Sequence, residues 1–234
     1  MVNLRHKRVA QFRIHLLVTG TVAAAATLMA IGISGVDIRL VRYFHDHRGA
    51  LYGAAEVISW AGQAGWYLVP SAAGWCVGRA LRWDLLRRLS GFLFVSVALS
   101  ALTTDALKCV FGRARPWLLF SDNEYGFAPW NFSAAHQSFP SGHATTAISA
   151  AIALSWIFPR ARWGLLAFGF VVALSRTVVY AHYLSDLVAG GLVAWMIVWS
   201  LRHWFWRDLT RGYREVVANA DVNLNGNSPV TMDI

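Results

Sequence analysis

Two histidines, one carboxylate and several cations stand at suggestive spacings in the second half of this chain: Lys108, Arg115, Ser141, Gly142, His143, Arg176, His182 and Asp186. Their types suit a phosphate ester. Arg115 and Arg176 can neutralise phosphoryl oxygens through bidentate bonds, and Lys108 can do so as a point charge. Ser141 is a good helix N-cap, and Gly142 lets an anion approach the backbone amides at that helix start. His182 and Asp186 are spaced i, i+4, so on a helix they share one face and the carboxylate can reach one imidazole nitrogen. Such a bond fixes the tautomer and stabilises the imidazolium, leaving the other nitrogen to attack. His143, if protonated near neutral pH, can give a proton to the leaving oxygen.

Something must carry these residues to one place, and the composition says what. Of 234 residues, 56% are hydrophobic and 14% charged, against about a quarter charged in ordinary soluble domains. The stretches Ile14 to Val36 and Val57 to Gly78 hold no Asp, Glu, Lys or Arg. About 20 mostly apolar residues suffice for a helix to cross the hydrocarbon core. The sequence therefore predicts an all-α polytopic membrane protein with six spans, near 15–36, 54–78, 89–108, 141–158, 162–180 and 184–205. Residues 1–14 form a cytoplasmic N-terminus, 15–207 the six-helix domain, and 216–234 a polar, disordered cytoplasmic tail. The long connection 109–140, rich in Pro, Gly and aromatic residues, is expected to lie outside along the membrane surface. Arg5-His6-Lys7-Arg8 before an apolar stretch imitates a signal peptide, but the stretch exceeds a normal h-region, so an uncleaved first span is expected.

Six spans place fourteen of the Lys and Arg residues on one side and seven on the other: Arg39, Arg42, Arg48, Lys108, Arg113, Arg115 and Arg176. The positive-inside rule puts both termini in the cytoplasm. The same parity sends the end of span three, the start of span four, the end of span five and the start of span six to the non-cytoplasmic face. Topology alone thus gathers the candidate residues there. The net charge of +9 comes from cations at helix ends rather than a basic run, which argues against a nucleic-acid partner.

Three groups of residues carry a resemblance. Lys108, Arg115 and Pro116, then Pro140-Ser141-Gly142-His143, then Ser175-Arg176 with His182 and Asp186 look like the three signature motifs of the type 2 phosphatidic acid phosphatase superfamily, in order, over residues 108–186. That superfamily includes phosphatidylglycerophosphate, undecaprenyl pyrophosphate and lipid A phosphatases and the soluble vanadium haloperoxidases. The resemblance implies that His182 is the nucleophile, Asp186 its partner and His143 the general acid. It implies Lys108, Arg115, Ser141, Gly142 and Arg176 as phosphate ligands. The chain has 19 Arg and two Lys, and the second Lys stands at 108, where the motif asks for it.

The expectation is an integral-membrane lipid phosphatase working through a phosphohistidine with no cofactor and no metal, in a bacterial inner membrane with its site toward the periplasm. Candidate substrates are a polyprenyl pyrophosphate, lipid A 1-phosphate, phosphatidylglycerophosphate and phosphatidic acid, with a lean to the first two. A lipid phosphotransferase and a non-enzymatic scaffold or transporter stand as alternatives, although transporters place their sites near the bilayer midplane. Other residues read more plainly. Arg113 is a loop cation that could also touch phosphate; Asp105 could orient Lys108 across one helical turn or simply balance its charge; Glu56 is an interfacial carboxylate or faces the headgroup pocket. His45-Asp46-His47 is an exposed loop, since adjacent residues do not readily converge on one metal. Cys76 and Cys109 are small buried hydrophobes, and the many Trp residues fit interfacial belts.

Overall fold

A computed structural model describes residues 19–21, 23, 26–28, 30–32, 34–202 and 205, and among these it is all-helical apart from one isolated bridge between Arg113 and Phe127. The expected cytoplasmic N-terminus, the signal-like start and the tail at 216–234 lie outside the described residues. The helices are α1 (Thr19–Gly32), α2 (Val36–Asp46), α3 (Ala50–Trp60), α4 (Gly65–Ala80), α5 (Asp84–Phe111), α6 (Pro116–Ser121), α7 (Gly142–Ile157), α8 (Arg162–Val178) and α9 (Leu184–Arg202).

Three of them are long and apolar enough to cross a bilayer: Asp84–Phe111, Pro159–Val178 and Leu184–Arg202. A fourth crossing is counted if α1 and α2, bent by 63°, act together. The bend falls at Gly35, whose φ of 67° lies in the left-handed region that only glycine enters freely. The predicted continuous span 54–78 is broken: α3 stops at Trp60 and α4 resumes at Gly65. Helices α4 and α7 have 16 residues each, or roughly 24 Å at 1.5 Å per residue, short of the ~30 Å hydrocarbon core.

The bundle is built with small and hydroxylated side chains inside and large apolar ones outside. On α5, Phe92, Ser96, Ser100 and Thr104 recur every fourth residue and are buried, while Phe94, Val95, Leu99 and Leu102 are exposed. This is the distribution expected where lipid, not water, surrounds the helices, because burying apolar surface there brings no hydrophobic gain and close packing must hold helices together. The central helix α7 buries Ala144, Ala147, Ala150, Ala151 and Ala153 and packs against both α5 and α8. A Cβ on Gly169 of α8 would meet the Ala151 Cβ at 2.7 Å. Thr104 donates across the α5–α7 contact to Thr145 Oγ1 at 3.1 Å, a bond worth about 0.6 kcal/mol in a bilayer. At the far end of the bundle, Phe92 stacks on Phe205 at 4.1 Å between centroids, closing a cluster with Ala153 and Val198.

Cys76 is exposed and Cys109 half-buried, both free. Neither is the fully buried hydrophobe expected; Cys76 belongs to the apolar exterior. Among the described residues, the exposed tryptophans include Trp60, Trp66, Trp75, Trp130 and Trp163, and Glu56 is exposed.

Candidate active site

The connection 109–140 is exposed over residues 121–125 and seated in the bundle at both ends, where residues 112–114, 116, 118, 119, 138 and 140 are buried. Gly112 ends α5 with φ 56°, and its backbone is so close to the Ala128 carbonyl that a Cβ would lie 1.8 Å from that oxygen. The chain then pairs Ala114 N–H with the Gly126 carbonyl, turns through the short helix α6, and returns so that Ser138 N–H bonds the Arg113 carbonyl at 3.0 Å. Leu118 and Leu119 of α6 are buried.

That return places Ser138 beside His182. The His182 Nδ1 lies 2.8 Å from the Ser138 carbonyl oxygen. A carbonyl only accepts, so Nδ1 carries the proton and Nε2 keeps its lone pair. Asp186 Oδ2 stands 3.6 Å from the same Nδ1. The expectation that Asp186 itself fixes the tautomer by a hydrogen bond is therefore corrected: a backbone carbonyl does so, and Asp186 contributes charge. Its oxygens are already engaged, by Ser138 Oγ at 2.6 Å, by the Tyr183 N–H at 2.9 Å and by Arg113 Nη1 at 2.5 Å. The Tyr183 bond is the carboxylate arm of a capping box at the start of α9. Behind His182, its N–H bonds the Arg176 carbonyl at 3.2 Å. Burial pushes the His182 imidazole down to about 4, against the pull of the Asp186 carboxylate.

Arg113 is the largest departure from the sequence reading. It is not a loop cation but a buried hub, 3% exposed. One nitrogen donates to Ser185 Oγ at 2.6 Å and to Asp186, the other to Asp37 Oδ2 at 2.8 Å and the Tyr125 hydroxyl at 3.1 Å. Its guanidinium also lies 4.4 Å from the Tyr183 ring centroid. Burial opposes its charge, but Asp186 and Asp37 outweigh that and hold the guanidinium above its usual value. Asp37, at the start of α2, is equally buried and also binds the Ser185 N–H at 2.9 Å and the Ser185 hydroxyl. The sequence signal for Asp37 was slight: it is the first acid after a charge-free stretch.

The other candidates lie near His182 and His143. Ser141 caps α7, accepting the Ala144 N–H at 3.4 Å, and its own N–H bonds the Asp186 carbonyl at 3.0 Å, which ties α7 to α9. Gly190 of α9 permits that approach, since a Cβ there would sit 2.7 Å from the Ser141 carbonyl. Lys108 pairs with Asp105 at 2.8 Å, across the one helical turn that separates them. Its ammonium hangs over Gly142, 3.0 Å from where a Cβ would be, so Gly142 makes room for the lysine. Arg115 N-caps α6 and donates through Nε to the Ala134 carbonyl at 2.9 Å; burial lowers its affinity for the proton while Asp186 raises it. Arg176 Nη1 donates to Ser59 Oγ of α3 at 2.5 Å, while its Nε is buried with no partner.

The break between α3 and α4 belongs to this site. Gly62, within it, faces His143 so closely that a Cβ would lie 2.8 Å from the His143 Cβ. The charges of Arg176, Lys108 and Arg115 and the ring of His182 all reach His143. Sequence reasoning missed Ser138, Asp37, Ser59 and Gly62, and misread Arg113. Ser138 left no signal, because its backbone carbonyl carries the role.

His45 and Asp46 close α2 rather than forming a loop. His45 stacks on Phe120 at 3.8 Å, His47 Nδ1 bonds the Tyr43 carbonyl, and the two rings are thus separately engaged. Among the described residues no group of three or more His, Cys, Asp or Glu could hold a metal ion.

Two curated relatives, each called lipid A 1-phosphatase, are similar to this chain. The one from Rhizobium johnstonii is 32% identical over 151 residues, 64% of this chain and 59% of its own length. The one from Rhizobium etli is 35% identical over 129 residues, 55% and 53%. The matched chain thus spans less than two thirds of either relative. Among solved structures, the crystal structure of Aquifex aeolicus LpxE aligns with a TM-score of 0.52 at 21% identity, covering 70% of this chain and 92% of that one. The PAP2-type phosphatidylglycerolphosphate phosphatase of Bacillus subtilis aligns at 0.54 and 21%, covering 80% and 96%. Both show a shared fold. The PAP2 superfamily profile matches residues 90–209, which include all three motifs and more than half of the chain, and the chain belongs to that superfamily.

Proposed function

We propose that this chain is an integral-membrane lipid phosphatase that removes a terminal phosphoryl group through a phosphohistidine. The observation that carries the reading is the state of His182: its Nδ1 proton is bound by the Ser138 carbonyl, so the Nε2 lone pair is free to attack phosphorus. Lys108, Arg115 and Arg176 hold the phosphoryl oxygens, together with the amide end of α7 at Ser141 and Gly142. The buried, unpartnered Arg176 Nε supports this. An unsatisfied buried donor costs about 1–3 kcal/mol, which a phosphoryl oxygen would offset.

In the first step the His182 Nε2–P bond forms as the bond from phosphorus to the lipid oxygen breaks, and His143 gives its proton to that oxygen. In the second, His143 takes a proton from water, whose oxygen attacks phosphorus and breaks the N–P bond. Lipid alcohol (or lipid monophosphate, from a pyrophosphate) and inorganic phosphate leave, and the histidines return to their starting states. Side-chain cations and helix amides stabilise the charge, so the steps need no metal ion.

The domain at 15–207 crosses the membrane six times, with α3 and α4 as one interrupted crossing. Both termini are cytoplasmic and the site opens on the opposite face, where the positive-inside bias points. The two relatives named lipid A 1-phosphatase favour a lipid A 1-phosphate as substrate, ahead of a polyprenyl pyrophosphate. Phosphate release from a panel of lipid phosphates and pyrophosphates by purified protein tests the reading. Turnover of at least one lipid, abolished by His182→Ala, is expected; undiminished release by His182→Ala would refute the nucleophile.

A further inference from the structure

Beside the cationic pocket lies a group of residues that the proposed reaction does not use. Arg48 follows α2, is exposed, and has no carboxylate within ion-pair distance among the described residues. Its guanidinium carbon instead sits 4.6 Å from the Tyr180 ring centroid and 5.3 Å from that of Tyr52. Rings of this kind hold a cation in place without neutralising it. The clamp is buttressed: Tyr180 meets His45 edge-on at 5.5 Å, and His45 stacks on Phe120. Tyr180 has a φ of 39°, a costly conformation for a residue with a side chain and one that gathers at ligand sites.

The clamp adjoins the reaction site. Tyr180 stands between Arg176 and His182 in the chain, and Tyr52 shares α3 with Ser59, the partner of Arg176. Seven residues along that helix correspond to roughly 10 Å. A guanidinium fixed by stacking, with no carboxylate in ion-pair reach among the described residues, is arranged to take a phosphate or carboxylate.

We propose that Arg48, clamped by Tyr52 and Tyr180, binds a second anionic group on the substrate headgroup, beside the phosphoryl group removed. The inference rests on the phosphatase reading and narrows its substrate class to lipids with a polyanionic headgroup. The same chemistry could come from the phosphate of a neighbouring bilayer lipid, and the experiment separates the two.

The test uses a matched pair of acylated sugar lipids, with and without a second phosphate, in neutral detergent micelles. The wild-type protein should show a kcat/KM at least about tenfold higher for the doubly phosphorylated lipid, mainly through KM. Arg48→Gln should remove most of that preference, and Arg48→Lys should keep part of it, with thermal midpoints close to wild type. Equal turnover of both lipids by the wild type, or an Arg48→Gln loss equal on both, overturns the subsite while leaving the phosphatase reading intact. A preference that depends on added anionic phospholipid assigns Arg48 to a bilayer lipid and overturns the substrate role. Turnover of neither lipid, with none of the wider panel cleaved, sinks the phosphatase reading and the subsite with it.

Discussion

Arg113 and Asp186 are paired at 2.5 Å, 73 residues apart in sequence, with the guanidinium 3% exposed and the carboxylate fully buried. Through Arg113 the same network reaches Asp37 at 2.8 Å, so three separate segments meet at one cation close to His182. The acid that supports His182 is itself held by a residue outside the motif positions.

Removing one partner from such a network leaves buried charge uncompensated, which costs about 3–5 kcal/mol. Arg113→Gln should therefore lower the thermal midpoint in detergent and reduce kcat/KM by about a hundredfold. Arg113→Lys keeps the charge but cannot serve Ser185, Asp186, Asp37 and Tyr125 at once, and should be intermediate. Because Arg113 acts through Asp186, its loss should also shift the pH profile of phosphate release. Normal activity and stability of Arg113→Gln would show that the pairing is incidental.

His182 gives the pH dependence of stability. Its folded value lies near 4, below the 6.5 of the unfolded chain. Between those values the unfolded chain binds the extra proton, so stability falls as pH drops through that window, at up to ~1.4 kcal/mol per pH unit. Above 6.5 the contribution is flat. Thermal midpoints of wild type and His182→Asn, measured from pH 7 to pH 4, should diverge, with the wild type losing more. Parallel curves would contradict the buried, neutral imidazole.

Gly62 has a consequence for catalysis more than for stability. A methyl there would meet the His143 side chain at 2.8 Å, and the ring must move to relieve the contact. Gly62→Ala should lower kcat by about tenfold or more, since a proton donor displaced by an ångström loses its alignment. Its KM should change little. An unchanged kcat would mean that His143 is not held by this contact or does not transfer the proton.

Phosphate release should survive exhaustive chelation, because the cations and the α7 amides carry the charge stabilisation. Loss of activity restored by one divalent metal would end the metal-free mechanism.

From the sequence alone, residue types and short-range spacing could be read. Lys108, His143, Arg176, His182 and Asp186 announced themselves because cations and imidazoles at the edges of apolar stretches are costly and because they stand at motif spacings. The all-helical character followed from the length of those stretches, and the Asp105–Lys108 contact from one helical turn. What only the tertiary structure decided were contacts without local periodicity. The Ser138 carbonyl has no side-chain signature, and Arg113 looks like any loop cation until Asp37 and Asp186 enclose it. The interruption after Trp60 lies in an uncharged run that reads as one span, yet it brings Gly62 against His143. Hydropathy registers how apolar a segment is; where a backbone must break or a carbonyl must point is set by close packing between segments distant in the chain.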